Sequence, residues 1–253
     1  MADLTGRTAL VTGGGRGIGA GIVRTLATAG ADVAINYARN SDAADALAEE
    51  VRALGRRAHT YQADVSDYEQ CEAMATAALA DLGPIAILVN NAGIASRGNA
   101  IADTDPAEMR RVVETHAFGS FYMSQLLVPQ MRELPRGDVI MISSGATQSL
   151  SGRGGPYNMG KTAMEAVAFT LAKEERANGI HVNIVAPGLV ETDMGKRLVR
   201  ATRGVEDIRE LDAGSPFGRV CQPEDIANAV LYLVGDEGSY VTNQRIYVNG
   251  GGF

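Results

Sequence analysis

Short apolar runs alternate along this chain with longer stretches in which apolar residues recur every three or four positions. Residues 8–12 read as a strand and residues from about 17 to 29 as a helix. Residues 32–37 predict a second strand, followed by an Ala/Glu-rich helix to about 54, and residues 58–63 a third strand. Ser66, with Glu69 three residues on, predicts a capping box that opens the next helix. Residues 85–90, Ile-Ala-Ile-Leu-Val-Asn, are apolar without alternation, as expected of a strand buried on both faces of a parallel sheet. Asp105, Pro106 and Glu108 supply a cap, a proline at the first helical position and an acid in the first turn. That helix is expected to run to about 133. A strand over 138–143, a long helix over about 156–178, a strand over 180–185, a helix opened by Gln222, Pro223 and Glu224, and a final strand over 245–248 complete the pattern.

Strand–helix alternation with short connections predicts an α/β fold: a doubly wound parallel sheet of about seven strands with helices on both faces. No linker-like composition or repeat interrupts it, so residues 1–253 read as a single domain. The segment from about 191 to 218 is charged, partly helical and follows a strand, as a lid-like insertion would.

Composition narrows the function classes. Hydrophobic residues make up 45% of the chain and charged residues 21%, which fits a soluble globular protein and disfavours a disordered one. The formal net charge of −7 argues against a general nucleic-acid binder. No apolar run is long enough to span a membrane, and no signal peptide is visible, so no membrane association is expected. Cys71 and Cys221 are too few for a disulfide framework and are not spaced as metal ligands. A cytoplasmic location and no metal are the expectations. The 30 glycines lack any collagen period, which suggests many tight strand-to-helix turns.

The first such turn is Thr12-Gly13-Gly14-Gly15-Arg16-Gly17-Ile18-Gly19. Glycines let a backbone approach a pyrophosphate, and the N-terminus of the following helix supplies free N–H groups. The spacing G-x-x-x-G-x-G differs from the common G-x-G-x-x-G, and an ordinary tight turn is the alternative. At the end of the second strand an NAD site wants an acid for the ribose hydroxyls. This chain has Asn36, Tyr37, Ala38 and Arg39 there. Arg16 and Arg39 suit a 2′-phosphate, so NADP(H) is preferred and NAD(H) stays open; two solvated arginines are the alternative. Asp64 and Val65 end the third strand, where a carboxylate suits an adenine amino group or a helix entry. Asn90, Asn91, Ala92 and Gly93 end the fourth, where small residues let a nucleotide pass and Asn side chains stitch neighbouring loops. Tyr157 and Lys161 lie four apart on one helix face. Lowering a Tyr pKa from about 10 to about 7 takes roughly 4 kcal/mol. An ammonium about 4 Å away supplies about that much at an effective dielectric near 20. Such a tyrosine gives or takes a proton near neutral pH. Ser144 ends the preceding strand and suits a substrate oxygen.

Together, the Thr12–Gly19 turn, Asn90 to Gly93, Ser144, and Tyr157 to Lys161 resemble the short-chain dehydrogenase/reductase family. Ala186-Pro187-Gly188, Thr192 and the terminal Val248-Asn249-Gly250-Gly251 extend the resemblance over nearly the whole chain. The detailed pattern is similar to bacterial 3-oxoacyl-carrier-protein reductases. The resemblance implies a Rossmann-type fold and catalysis by Ser144, Tyr157 and Lys161. Tyr157 would serve the carbonyl or alcohol oxygen, Lys161 would lower its pKa and bond the nicotinamide ribose, and Ser144 would orient the substrate. Gly13, Arg16, Gly17, Ile18, Gly19, Asn36, Tyr37, Arg39, Asp64, Val65, Asn91, Ala92 and Gly93 are the expected cofactor contacts, with Pro187, Gly188, Val190 and Thr192 lining the nicotinamide. A homotetramer is also implied, with the helices at about 106–133 and 156–178 forming one interface.

Two positions depart from the family pattern. Where a catalytic Asn is usual, this chain has His116. A neutral imidazole donates and accepts one hydrogen bond each, so it can substitute in part, or serve only as a satisfied structural residue. Asn178 stands where carrier-protein reductases carry a basic docking residue, with Arg176 two positions earlier and Arg132 and Arg136 near the other docking patch. The lid is basic: Lys196, Arg197, Arg200, Arg203 and Arg209, with Arg97 and Arg153 near the expected mouth. This suits an anionic substrate, or a solvated helix face. The expected activity is NADP(H)-dependent reduction of a small carbonyl substrate, most like a 3-oxoacyl thioester on carrier protein or coenzyme A. Reduction or oxidation of a sugar, polyol or cyclic alcohol or ketone is one alternative, and a non-catalytic nucleotide sensor on the same fold is another.

Overall fold

The computed structural model describes residues 2–252. Seven strands form one parallel sheet in the order β3-β2-β1-β4-β5-β6-β7. They are β1 (Thr8–Val11), β2 (Asp32–Tyr37), β3 (Ala58–Gln62), β4 (Ile87–Asn90), β5 (Gly137–Ile142), β6 (Ile180–Pro187) and β7 (Arg245–Val248). The helices are α1 (Gly17–Thr28), α2 (Ser41–Ala53), α3 (Tyr68–Leu82), α4 (Pro106–Val113), α5 (Gly119–Met131), α6 (Ala146–Ser149), α7 (Gly155–Glu175), α8 (Asp193–Arg203) and α9 (Pro223–Val234).

The unalternating apolar strands are explained by two separate cores. Ala9, Val11, Val33, Ile35, Ile87, Val89, Ile140 and Ile142 point to one face, where they meet Ile22 and Leu26 of α1, Leu47 of α2 and Val230 of α9. Their neighbours Leu10, Ala34, Leu88, Val139 and Met141 point to the other, against Met74 of α3, Leu127 of α5 and Met164 of α7. Side chains of a strand alternate between faces, so a strand covered on both sides must be apolar at every position. The strand order reverses direction between β1 and β4, and that switch point opens a crevice at the carboxyl ends of the strands.

Two local expectations are corrected. The cap of α3 is Asp67, whose carboxylate accepts from the Gln70 N–H at 3.1 Å. Ser66 is already engaged, because Asp64 Oδ1 accepts from its N–H at 3.0 Å and from its hydroxyl at 2.7 Å. The expected helix over 106–133 does start on Asp105 and Pro106, but it is interrupted by a π-helical turn over Glu114–Phe118 and ends at Met131. The segment after β6 carries its own small apolar cluster of Val199, Ile208 and Val220. Among the described residues, no helix is long and apolar enough to cross a membrane.

Candidate active site

The glycine-rich turn is shaped by close approach. Gly13 has φ +60°, and a β-carbon there would lie 3.0 Å from Ala92 Cα; one on Gly19 would lie 2.3 Å from the carbonyl oxygen of Gly13. The N-terminus of α1 has no side-chain cap and no acid in its first turn. Its N–H groups therefore await an external acceptor, which fits a pyrophosphate. Three polar residues brace this cradle. Asn91 Nδ2 donates to the carbonyls of Thr12 and Gly13 at 2.9 and 3.1 Å, stitching neighbouring loops as expected. Thr12 Oγ1 accepts from the N–H groups of Asn91 and Ala92 at 2.9 and 3.0 Å. Asn36 is buried, accepts from the Gly13 N–H at 3.0 Å and donates toward the carbonyls of Tyr61 and Ala63. Its amide is thus spent on shaping the turn.

The remaining expected contacts are distributed around the crevice. Gly17 faces Thr192, whose Cγ2 lies 3.3 Å from where a Gly17 β-carbon would be. Arg16 reaches toward Asp193 at 3.8 Å, while Tyr37 and Ile18 pack at the edge of the α1-side core. Arg39 is exposed. Asp64 is exposed and serves the turn before α3; Val65 is buried against Gly119 of α5. Pro187 closes β6, Gly188 packs against Asn249, and Val190 bridges to Cys221.

Tyr157 and Lys161 follow from the start of α7, and Ser144 from the end of β5. The Ser144 hydroxyl lies beside the Tyr157 phenol and acts to lower its pKa. Ser144 Oγ also accepts from the Ala146 N–H at 3.1 Å. Lys161 is only 3% exposed; its Nζ donates to the Ile142 carbonyl at 2.6 Å and lies 5.9 Å from the Tyr157 ring centre. The expected tyrosine with a lowered pKa is not what is found. Burial pushes the Tyr157 phenol up, opposed by the Ser144 hydroxyl. Burial also pulls the Lys161 ammonium down to about 7, with Glu165 acting against it. Low polarity disfavours both charged forms, and in this arrangement that outweighs their mutual attraction.

His116 lies in the π-helical turn, fully buried, with its ring edge-on to Tyr157 at 5.2 Å between centres. Its Nε2 sits 2.8 Å from the Ile94 carbonyl. That contact assigns the Nε2–H tautomer, which leaves Nδ1 a buried acceptor with no protein partner. Burial first, and then the charge on Lys161, hold its pKa well below the usual imidazole value. Room for the ring comes from Gly93 and Gly160, which both flank it.

A protein-family model described as "Enoyl-(Acyl carrier protein) reductase" matches residues 13–252. The chain belongs to the short-chain dehydrogenase/reductase family. A 3-oxoacyl-[acyl-carrier-protein] reductase of Staphylococcus aureus is 37% identical over 250 residues, covering 97% of each chain. A 7alpha-hydroxysteroid dehydrogenase of Escherichia coli K12 is 35% identical over 249 residues, covering 98% of this chain and 95% of its own. A solved 7 alpha-hydroxysteroid dehydrogenase, complexed with NADH and 7-oxo glycochenodeoxycholic acid, superposes with TM-score 0.90 at 34% identity, over 99% of this chain and 95% of that one. A blue fluorescent protein from a metagenomic library, in complex with NADPH, gives 0.89 at 35% identity over 98% of each chain. As a short-chain dehydrogenase/reductase, the protein is an oxidoreductase that uses a nicotinamide cofactor on CH–OH and C=O groups.

One residue of this family member's site escaped the reading of the sequence. Glu165 is 4% exposed and follows Tyr157 and Lys161 on the same helical face, at the same spacing of four. It accepts from Ser143 Oγ at 2.6 Å and from Thr147 Oγ1 at 2.8 Å, and pairs with Arg245 of β7 at 2.6 Å. The spacing was visible in the sequence; the partners on β7 and beyond β5 were not.

Proposed function

We propose that the protein is an NADP(H)-dependent carbonyl reductase in which Tyr157 donates the proton. The observation that carries this reading is the Ser144–Tyr157 pair beside the buried Lys161, next to a cradle whose helix N-terminus lacks an internal partner. The nicotinamide cofactor supplies the hydride. Ser144 and Tyr157 hold the substrate oxygen between two hydroxyls, and the Tyr157 proton passes to that oxygen as negative charge develops on it. Lys161 in its ammonium form stabilises the phenolate left behind. Arg16 and Arg39, with no acid at the end of β2, support the phosphate-bearing cofactor.

For the substrate, we favour a 3-oxoacyl thioester carried by coenzyme A. Arg132 is paired with Glu175 at 2.9 Å and Arg136 with Asp138 at 2.9 Å, so both proposed carrier-docking arginines are engaged within the chain. On the lid side, Lys196 and Arg209 pair with Glu191, and Arg200 with Glu206. Arg153, Arg197 and Arg203 have no ion pair among the described residues, which leaves cationic groups for the phosphates of a coenzyme. The second reading, a cyclic ketone or alcohol, is supported by the likeness to the hydroxysteroid dehydrogenase. We also propose a homotetramer in which the groove between α5 and α7, lined by Phe121, Val128, Val167 and Leu171, is covered by a second copy. Light scattering of the wild type and Phe121→Asp tests it.

Initial rates with acetoacetyl-CoA and either NADPH or NADH test the activity, with Tyr157→Phe as control. The expected result is faster turnover with NADPH and a loss of about 10²–10⁴-fold in the variant. Turnover of cyclic ketones but not of the thioester would transfer the assignment to the second reading.

A further inference from the structure

We propose that Glu165 is a positioning residue: its buried carboxylate seats the turn that carries Ser144 and holds the charge on Lys161, and Arg245 sets how strongly it does so. The inference rests on the catalytic reading of Ser144, Tyr157 and Lys161 given above. A carboxylate removed from water must be compensated by hydrogen bonds and an opposite charge, and Glu165 has both. Its Oε1 takes the hydroxyls of Ser143 and Thr147, which bracket Ser144. Thr147 Oγ1 also stands 2.9 Å from the Ser144 carbonyl. The turn is therefore clamped from the helix side at both ends, while the N–H groups of Ser143 and Gly145 bind the carbonyls of Val185 and Pro187 in β6. Ser144 lies between these anchors, and a loss of the carboxylate frees the turn at two points.

The second effect is electrostatic. Lys161 is one helical turn before Glu165 and equally buried. The groups facing Lys161 among the described residues are few. Tyr157 and Glu165 come from α7, His116 from the turn between α4 and α5, and the Ile142 carbonyl from β5. His116 is neutral and Tyr157 is held protonated by burial, so Glu165 is the one negative charge in this set. Burial alone would strip the ammonium of its proton at still lower pH. Arg245, half turned to solvent on β7, offsets part of the negative charge of Glu165. The two residues act on Lys161 with opposite signs. A carboxylate placed merely to fill space would not have that property.

The test is a pair of substitutions, Glu165→Gln and Arg245→Gln, read in two ways. The first readout is NMR titration of ¹⁵N-labelled lysine in cofactor-free protein, with Lys161 assigned by its loss in Lys161→Arg. Glu165→Gln should lower the Lys161 midpoint by about one pH unit, and Arg245→Gln should raise it. The second readout is the pH profile of kcat, whose alkaline limb should move the same way in each variant. Glu165→Asp, which keeps the charge but shortens the reach, should leave the limb in place and lower kcat. If Glu165→Gln does not fold, the upward shift in Arg245→Gln carries the test. Folded variants with an unmoved Lys161 midpoint would overturn the proposal. A wild type that reduces no carbonyl, whatever Lys161 does, would instead overturn the catalytic reading on which it rests.

Discussion

The imidazole of His116 occupies the space that a side chain at position 93 would need. A β-carbon on Gly93 would lie 2.5 Å from His116 Cε1 and 3.0 Å from Nδ1, and 3.6 Å from Lys161 Nζ. Gly93 has an ordinary backbone conformation, so its small size, not its flexibility, is what the site uses. Gly93→Ala should cost about 1–3 kcal/mol by overpacking a site that cannot yield. His116→Ala in the same chain should recover part of it. Urea midpoints of the two single variants and the double variant measure the coupling; additive losses would show that the two residues do not share that space.

His116→Asn should retain or raise turnover. The asparagine amide overlays Nδ1, so its oxygen can replace that nitrogen as the buried acceptor. Because His116 is held neutral, its removal should also leave the pH profile of kcat unchanged from about pH 6.5 upward. A new inflection in that range, or a collapse of turnover in a folded variant, would assign the imidazole a specific role in proton transfer.

Lys161 stores a stability cost that depends on pH. Its pKa is about 7 in the folded protein against 10.5 for the free side chain. Below both values the buried ammonium destabilises the fold in full. Between them the unfolded chain binds more protons than the folded one, so this group's contribution to stability improves as pH rises from 7 to above 10. Lys161→Met should therefore be more stable than wild type near pH 6, by up to several kcal/mol, with the gap closing toward pH 10. Denaturation at matched pH values follows the gap, and activity should be lost throughout.

Asn36→Ala should weaken both the fold and the cofactor cradle. The change leaves the Gly13 N–H and the carbonyls of Tyr61 and Ala63 without their partner, at about 1–3 kcal/mol for a buried polar group left unpaired. Equilibrium binding of NADPH should weaken along with the thermal midpoint. Unchanged binding would separate the turn's shape from its role as a phosphate cradle.

Asp138 provides the contrast. It is fully buried at the opposite end of the sheet, where Arg7 and Arg136 pair with it at 2.6 and 2.9 Å. Asp138→Asn strands two arginines and should cost about 3–5 kcal/mol. At temperatures where the variant is folded, kcat should be that of the wild type.

The sheet was legible because each of its central strands is apolar on both faces; no other element of this length needs Ile-Leu-Val-Asn without alternation. The site was legible where function rests on residue type at fixed spacing, as in Tyr157 and Lys161. It was not legible where a side chain's partners come from distant segments. Asn36 was expected to face a nucleotide, yet its amide is used by the turn and by β3. Glu165 sat in plain view one turn beyond Lys161, but Arg245 is 80 residues away. The choice between Ser66 and Asp67 as cap turned on Asp64, which occupies the serine first. Nothing in Val-Val-Glu-Thr-His-Ala-Phe-Gly announces a break in helical geometry.

That break sets the phase of everything beyond it. A helix advances about 100° per residue, so the one surplus residue accommodated between Glu114 and Phe118 rotates α5 by that angle relative to α4. With this offset, Met123, Leu127 and Met131 fall on the sheet while Phe121 and Gln125 fall on the outer groove. Loss of a single residue from the wide turn would let the helix run straight, and the seam of Met123, Leu127 and Met131 would be turned about 100° away from the sheet. The chain can thus vary His116 itself far more freely than it can vary the number of residues that carry it.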